Sequence, residues 1–318
     1  MPATPTREQL EAAHVWEPSD DIPRKPEMTA FRRAARYRQA LWREARGHPI
    51  GTQPYAPRPK DRSRVVGSRV PLAYGRETGA NFLTPAALAA ARTRTSFIEP
   101  NQSFDHQRLW ADLLSSEALA FNLFGDLAAD PKRADRAVKT WWPDTPGAVS
   151  EVRFAHSPGR LDRAYLNSLR AWDAAFVLEL PRAKHGIVGI DVNYHELAKA
   201  ETPKPENMWR YLPVAESSGV FASGAIDALK ARSEMAVMWL EHLLVLSMLQ
   251  HPSGTWTWGR YVVIYPAANR DVAGLVERYL GLLADTQTFS ALTLEELLGA
   301  GALPRRTIAA LRDRYLAL

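Results

Sequence analysis

Two strand-forming runs separated by one short turn constrain this chain more than any other feature. Residues 172–180 (WDAAFVLEL) and 187–194 (IVGIDVNY) are rich in aromatic and β-branched side chains, and only PRAKHG lies between them. They read as an antiparallel hairpin. Side chains alternate along a strand, so Asp173, Ala175, Val177 and Glu179 share one face, and Trp172, Ala174, Phe176 and Leu178 share the other. On the second strand Val188, Ile190 and Val192 point one way, and Gly189, Asp191 and Asn193 the opposite way. A turn centred near Ala183 and Lys184 sets Asp173 across from residues 191–194. Opposed Cβ atoms lie about 4.5–5.5 Å apart, so the Asp173 and Asp191 carboxylates can meet one divalent cation. Without a cation, such a like-charge pair is unfavourable.

The rest of the chain supplies layers for that hairpin. Residues 103–125 and 223–250 read as long buried helices, 149–155 and 261–265 as further strands, and 270–284, 293–298 and 304–316 as closing helices. Thr84 and Pro85 form an N-cap and first-turn pair that opens a helix running to about Thr93. That order predicts an α/β fold, a mixed sheet flanked by helices. At 46% hydrophobic residues the chain can bury a core, which excludes wholesale disorder. The absence of cysteine excludes disulfide scaffolds, thiolate zinc sites and cysteine nucleophiles, so a metal here is expected to be a hard cation held by oxygen. The longest apolar stretch, 235–249, is interrupted by Glu241 and His242 and falls short of the roughly 20 residues that span a bilayer. With no apolar signal segment in residues 1–12, a soluble cytoplasmic protein is expected.

Charge is unevenly spread. Residues 21–70 carry 13 Lys or Arg against four Asp or Glu, a larger surplus than the +5 of the whole chain. Residues 1–102 therefore read as a basic, Pro-rich N-terminal extension ahead of a domain over 103–318. Residues 1–27 read as an extended arm, and 28–46 as an arginine-rich helix. This extension is the main candidate for contact with nucleic acid; a merely solvated face is the alternative. Several other signals point to packing instead. They include Trp141 with Trp142, Trp256 with Trp258, and the helical pair within 292–318. The segment beginning His195-Glu196 lacks the second histidine of a zinc-protease motif, and no GxxxxGK[ST] or GxSxG sequence occurs.

An Asp opening one strand and an Asp-x-Asn tripeptide on the next, 18 residues on, resembles the PD-(D/E)xK nuclease superfamily, whose fold is restriction-endonuclease-like. The chain is similar to a bacterial subgroup of nuclease-like proteins in an ordered series of segments. These are Ser115-Ser116-Glu117-Ala118 with Phe121-Asn122-Leu123-Phe124, the stretch from Phe154 to Asp162, and Ala171-Trp172-Asp173-Ala174-Ala175-Phe176. Gly189-Ile190-Asp191-Val192-Asn193-Tyr194, Glu241-His242-Leu243-Leu244 and Val263-Ile264-Tyr265-Pro266 complete the series.

The resemblance implies metal-dependent hydrolysis of phosphodiester bonds, most naturally in DNA, with Mg²⁺ or Mn²⁺ held by Asp173 and Asp191. Glu117 would assist from the preceding helix, where the closer relatives usually carry glutamine. One departure stands out. The tripeptide of the superfamily ends in lysine, whereas this chain has Asn193, which cannot offset developing charge on a phosphate. Lys199 is the candidate replacement, and Lys184 in the turn is a poorer one. The alternative is a nuclease fold without catalysis, serving as a DNA-binding or scaffolding component. Glu179 reads as a solvated residue and His156 as part of a structural turn.

Overall fold

The computed structural model describes residues 5–17, 20, 26–56, 58–196 and 199–316. Helices α1 (Arg7–Ala12) and α2 (Pro26–Ala45) come first, then a small ribbon of β1 (Gly51–Thr52) and β2 (Val65–Val66). Next come α3 (Leu72–Thr78), α4 (Pro85–Ser96), α5 (His106–Ala111), α6 (Ser116–Ala128) and α7 (Pro131–Trp141). The main sheet comprises β3 (Ala148–His156), β4 (Trp172–Leu180), β5 (Lys184–Val192), β6 (Trp256–Tyr265) and β7 (Phe289–Thr293). Helices α8 (Met208–Ser218), α9 (Ala225–Lys230) and α10 (Ala236–Leu249) separate β5 from β6, and α11 (Arg270–Leu280) separates β6 from β7. The chain closes with α12 (Leu294–Gly299), α13 (Arg305–Leu311) and a π-helical turn at Arg312–Leu316.

The five strands lie in sequence order; β3, β4 and β5 are antiparallel, and β6 and β7 add in parallel. Both faces are covered, giving the expected mixed sheet between helices. On one face Ala174, Phe176, Leu178, Val188 and Ile190 join a core with Phe121, Phe124 and Leu127 of α6. There Phe124 meets Phe176 edge-on, with centroids 5.4 Å apart. On the other face Val177, Ile187, Tyr261 and Val263 pack against Trp239, Leu243 and Leu244 of α10. Each such fully buried large side chain contributes about 1.5–3 kcal/mol. The crossover segments after β5 thus bring α10 directly behind the hairpin.

The hairpin register pairs Ala174 with Ile190 and Leu180 with Lys184, so its turn needs only Pro181–Ala183 and not six residues. Gly189 is where the backbone must come close: a Cβ there would lie 2.4 Å from the Trp172 ring. The indole therefore lies over Gly189 in the α10-side core, not on the Phe176 face that strict alternation predicts.

Local polar chemistry breaks both long helices expected from the sequence. Between α5 and α6, Asp112 pairs with Arg69 at 3.0 Å and accepts from the Leu114 N–H, while Ser115 caps α6 through the Ala118 N–H. Between α9 and α10, Ser233 exchanges backbone hydrogen bonds with Glu201 and accepts from the Met235 N–H. Strand β7 was missed beside the helix that Thr293 caps; it is a five-residue edge strand.

The basic extension is corrected in character as well. Part of the expected extended arm (1–4, 18–19 and 21–25) lies outside the described residues, and the rest includes α1, which has a capping box from Thr6 and Gln9. Its arginines are largely used internally. Arg36 is buried against Asp20, Glu17 and the Val15 carbonyl, and Arg43 donates to the Gly67 and His48 carbonyls. Counting charges overstated the free basic surface because a count does not register partners. Among the described residues, no helix is long and apolar enough to cross a membrane.

Candidate active site

The open end of the β4–β5 hairpin gathers the acidic residues. One step beyond the Ala174–Ile190 pair, Asp173 and Asp191 face each other on adjacent strands, with their carboxyls within hydrogen-bond reach. Asp173 Oδ2 accepts from the Val192 N–H at 2.8 Å, and Asp191 Oδ2 accepts from Asn193 Nδ2 at 2.7 Å. The two line a 350 Å³ cavity with Glu117, Asn193, Glu196, Arg108 and Arg160. Glu117 occupies the first turn of α6, where its charge is favourable to the helix N-terminus.

Electrostatics mark this cluster as strained. Burial, and next the Asp191 carboxylate, push the Asp173 carboxyl well above its ordinary value, against the opposing pull of the Val192 N–H. Burial also raises Asp191, although hydrogen bonds with Asn193, Asp173 and Glu241 pull the other way. Burial lifts Glu117 to about 7, with Arg108 opposing. All three shifts express negative charge held out of water without enough positive charge beside it.

Lys199 lies elsewhere. It is exposed and lines an adjoining 700 Å³ cavity that shares Asp191, Asn193, Glu196 and Arg108 with the first but includes neither Asp173 nor Glu117. Lys184 donates to the Gly254 carbonyl at the far end of the hairpin. Glu179 is exposed, as expected. His156 is buried, and burial followed by Arg153, Arg160 and Arg94 pushes its imidazole down to about 3. It sits at the end of β3 near Trp172 and does not line either cavity.

Three residues at this site were missed. Glu241 projects from α10 and is 6% exposed; it accepts from the Tyr261 hydroxyl at 3.1 Å and is within hydrogen-bond reach of Asp191. Burial, then Asp191, raises its carboxyl well above the ordinary range. The available signal was a glutamate interrupting an apolar run, because a charge in a buried helix requires a partner. Glu196 and Arg108 form an ion pair at 2.9 Å. Glu196 also accepts from Ser116 Oγ at 2.6 Å and from the His195 N–H, and Ser116 Oγ accepts from the Tyr194 N–H. No local pattern announces those contacts, since α5 and the strand end meet only in the folded chain.

The structure thus sets an acidic pair at the mouth of a hairpin, on a mixed sheet between helices. The PD-(D/E)XK nuclease superfamily matches residues 26–317, and the chain belongs to that superfamily. No curated protein and no solved structure matches it.

Members of this superfamily generally use divalent metals, and the donors here fit a hard cation. They are all oxygens, and the raised Asp173 and Asp191 carboxyls are the groups whose repulsion a dication relieves. Among the described residues, no three His, Asp or Glu side chains converge closely enough to hold an ion by themselves. That suits Mg²⁺, which is usually bound by one or two carboxylates plus water and substrate phosphate.

Proposed function

We propose that this chain is a nuclease that hydrolyses phosphodiester bonds in DNA with Mg²⁺ or Mn²⁺. The observation that carries the reading is the convergence of Asp173 and Asp191 at the open end of the hairpin, in a chain of this superfamily. In it, Asp173 and Asp191 hold the metal, Glu117 assists from α6, and Asn193 fixes the orientation of Asp191 through its 2.7 Å hydrogen bond. Lys199 is the sequence's own candidate for the missing motif lysine. The bound metal supplies Lewis-acid polarisation and a more acidic water. In the overall reaction, a water oxygen bonds to phosphorus and the bond to the leaving sugar oxygen breaks with its electron pair. One water proton ends on that oxygen.

Incubating the native chain with supercoiled plasmid and Mg²⁺ or Mn²⁺ tests this. Nicked product should form, EDTA should stop it, and Asp191→Ala should lower the rate by at least about 10³-fold. Cleavage that survives Asp191→Ala would remove the chemistry from this site. Asn193 favours a second reading, since a neutral amide engaged with a ligand carboxylate leaves the motif without its cation. On that reading the chain binds DNA without cutting it, and the native protein yields no metal-dependent nicks.

A further inference from the structure

The absent motif lysine leaves a specific electrostatic gap, and the described residues offer few cations to fill it. Among the described residues, Arg108 and Arg160 are the only basic side chains that line the cavity containing both Asp173 and Asp191. The Arg160 guanidinium is committed to Glu99 and the Ala155 carbonyl, and its side chain is 5% exposed. Arg170, in the adjoining cavity, pairs with Glu201 and lies 4.0 Å from Glu241. Lys199 faces only that second cavity.

Arg108 is differently placed. It lines both cavities, at their shared boundary with Asp191, Asn193 and Glu196. Its side chain is 47% exposed and has one side-chain partner, Glu196 at 2.9 Å. A guanidinium carries five N–H donors in a planar fork, so most remain free for the oxygens of a phosphate. Its aim is also fixed. Glu196 is itself held by Ser116 and by the His195 N–H, and Ser116 by the Tyr194 N–H, next to Asn193. The anchor of Arg108 is thus the strand end that carries the motif. Asp105 caps α5 by accepting from the N–H groups of Gln107 and Arg108, which fixes the backbone under the side chain.

We infer that Arg108, held by Glu196, is the cation of this active site and contacts the scissile phosphate in place of the motif lysine. The inference rests on the phosphodiesterase reading. An arginine cannot serve as a base at ordinary pH, so its work is to bind a phosphate oxygen and stabilise charge that develops there.

The test uses the full chain and two readouts. One is single-turnover cleavage of a labelled duplex in Mg²⁺ or Mn²⁺. The other is fluorescence anisotropy of the same duplex with Ca²⁺ in place of those ions, across a salt series. Arg108→Met should slow cleavage about 10²–10³-fold and lower the salt slope of log affinity by about 0.9. Arg108→Lys should recover part of both, because it restores charge without the fork. Arg108→Met cleaving within about threefold of native, with an unchanged slope, overturns the inference. So does a chain in which Lys199→Ala loses the rate while Arg108→Met keeps it. If the native chain binds duplex but never cleaves, and the slope falls in Arg108→Met, hydrolysis fails and the phosphate contact stands. A native chain that neither binds nor cleaves the duplex overturns both.

Discussion

Two buried charge clusters in this molecule are built on opposite terms. Arg314 in the C-terminal π-helical turn is fully buried and almost fully answered. Its guanidinium donates to Gln39 Oε1 at 3.0 Å, to the Asn81 carbonyl at 2.8 Å, to Asn81 Oδ1 and to the Leu113 carbonyl at 3.0 Å. It also lies over the Trp42 ring at 4.4 Å and the Tyr315 ring at 4.8 Å. Asp173 and Asp191 have each other, Glu117 and Glu241 for company, with a few donors in opposition. Three other segments of chain come together to satisfy the arginine, whereas the acids are left short of positive charge. A satisfied buried charge is a closure of the fold; an unsatisfied pair is stability given up at a place where a cation would restore it.

The largest effect is expected at the satisfied cluster. Arg314→Met fills similar volume but strands Gln39 Oε1, Asn81 Oδ1 and the Leu113 carbonyl, each costing about 1–3 kcal/mol when left buried without a donor, while the Asn81 carbonyl keeps the Asn122 amide at 3.0 Å. A total loss of about 3–5 kcal/mol should appear as a lower urea midpoint and melting temperature. Arg314→Lys should recover only part, because an ammonium cannot span those acceptors in the same plane. A loss below about 1 kcal/mol would mean that the cluster is not what closes the chain.

At the acidic cluster the sign should reverse. In EDTA, Asp173→Asn or Asp191→Asn removes a like-charge repulsion while keeping an acceptor for Val192 N or Asn193 Nδ2, and should stabilise by about 1–2 kcal/mol. Mn²⁺ at a hundred times its dissociation constant should stabilise the native chain by about 2.7 kcal/mol, and Asp191→Asn by much less. Thermal melts with and without the ion read both effects. Equal melting temperatures for native and variant in EDTA would mean that the acids are already relieved by their neighbours, and the contrast with Arg314 would collapse.

What the sequence disclosed follows from how local each signal is. Period-2 alternation and a short turn are written in about twenty consecutive residues, so the hairpin, the opposed aspartates and its two faces, Trp172 apart, were legible. Glu241 showed as a break in an apolar helix and as part of one matching segment, but not as a site residue, because its partners Tyr261 and Asp191 meet it across the sheet. Arg108 and Glu196 lie 88 residues apart, and nothing near either one announces the pair. The helix breaks at Asp112 and Ser233 were hidden for a related reason: each depends on a distant chain segment, Arg69 or Glu201, bonding to a residue that could also sit inside a helix.

Arginine arithmetic misled in the same way, and the smallest predicted effect follows from its correction. Leu10 and Ala40 share a buried cluster, and Arg36 is sealed beneath it by Asp20 and Glu17, so deleting residues 21–70 would dismantle packing along with charge. Substitution of exposed cations is the cleaner probe. Arg58, Lys60 and Arg62 sit in or beside the 3₁₀ turn Pro59–Ser63 and are exposed. Changing all three to Gln should move stability by less than about 0.5 kcal/mol, as expected for surface sites. If this turn tracks DNA phosphates, the same triple variant should lower the salt slope of binding by up to about 2.7, at about 0.9 per contact. An unchanged slope would assign these side chains to solvent, and a stability loss comparable to that of Arg314→Met would show that they too are structural.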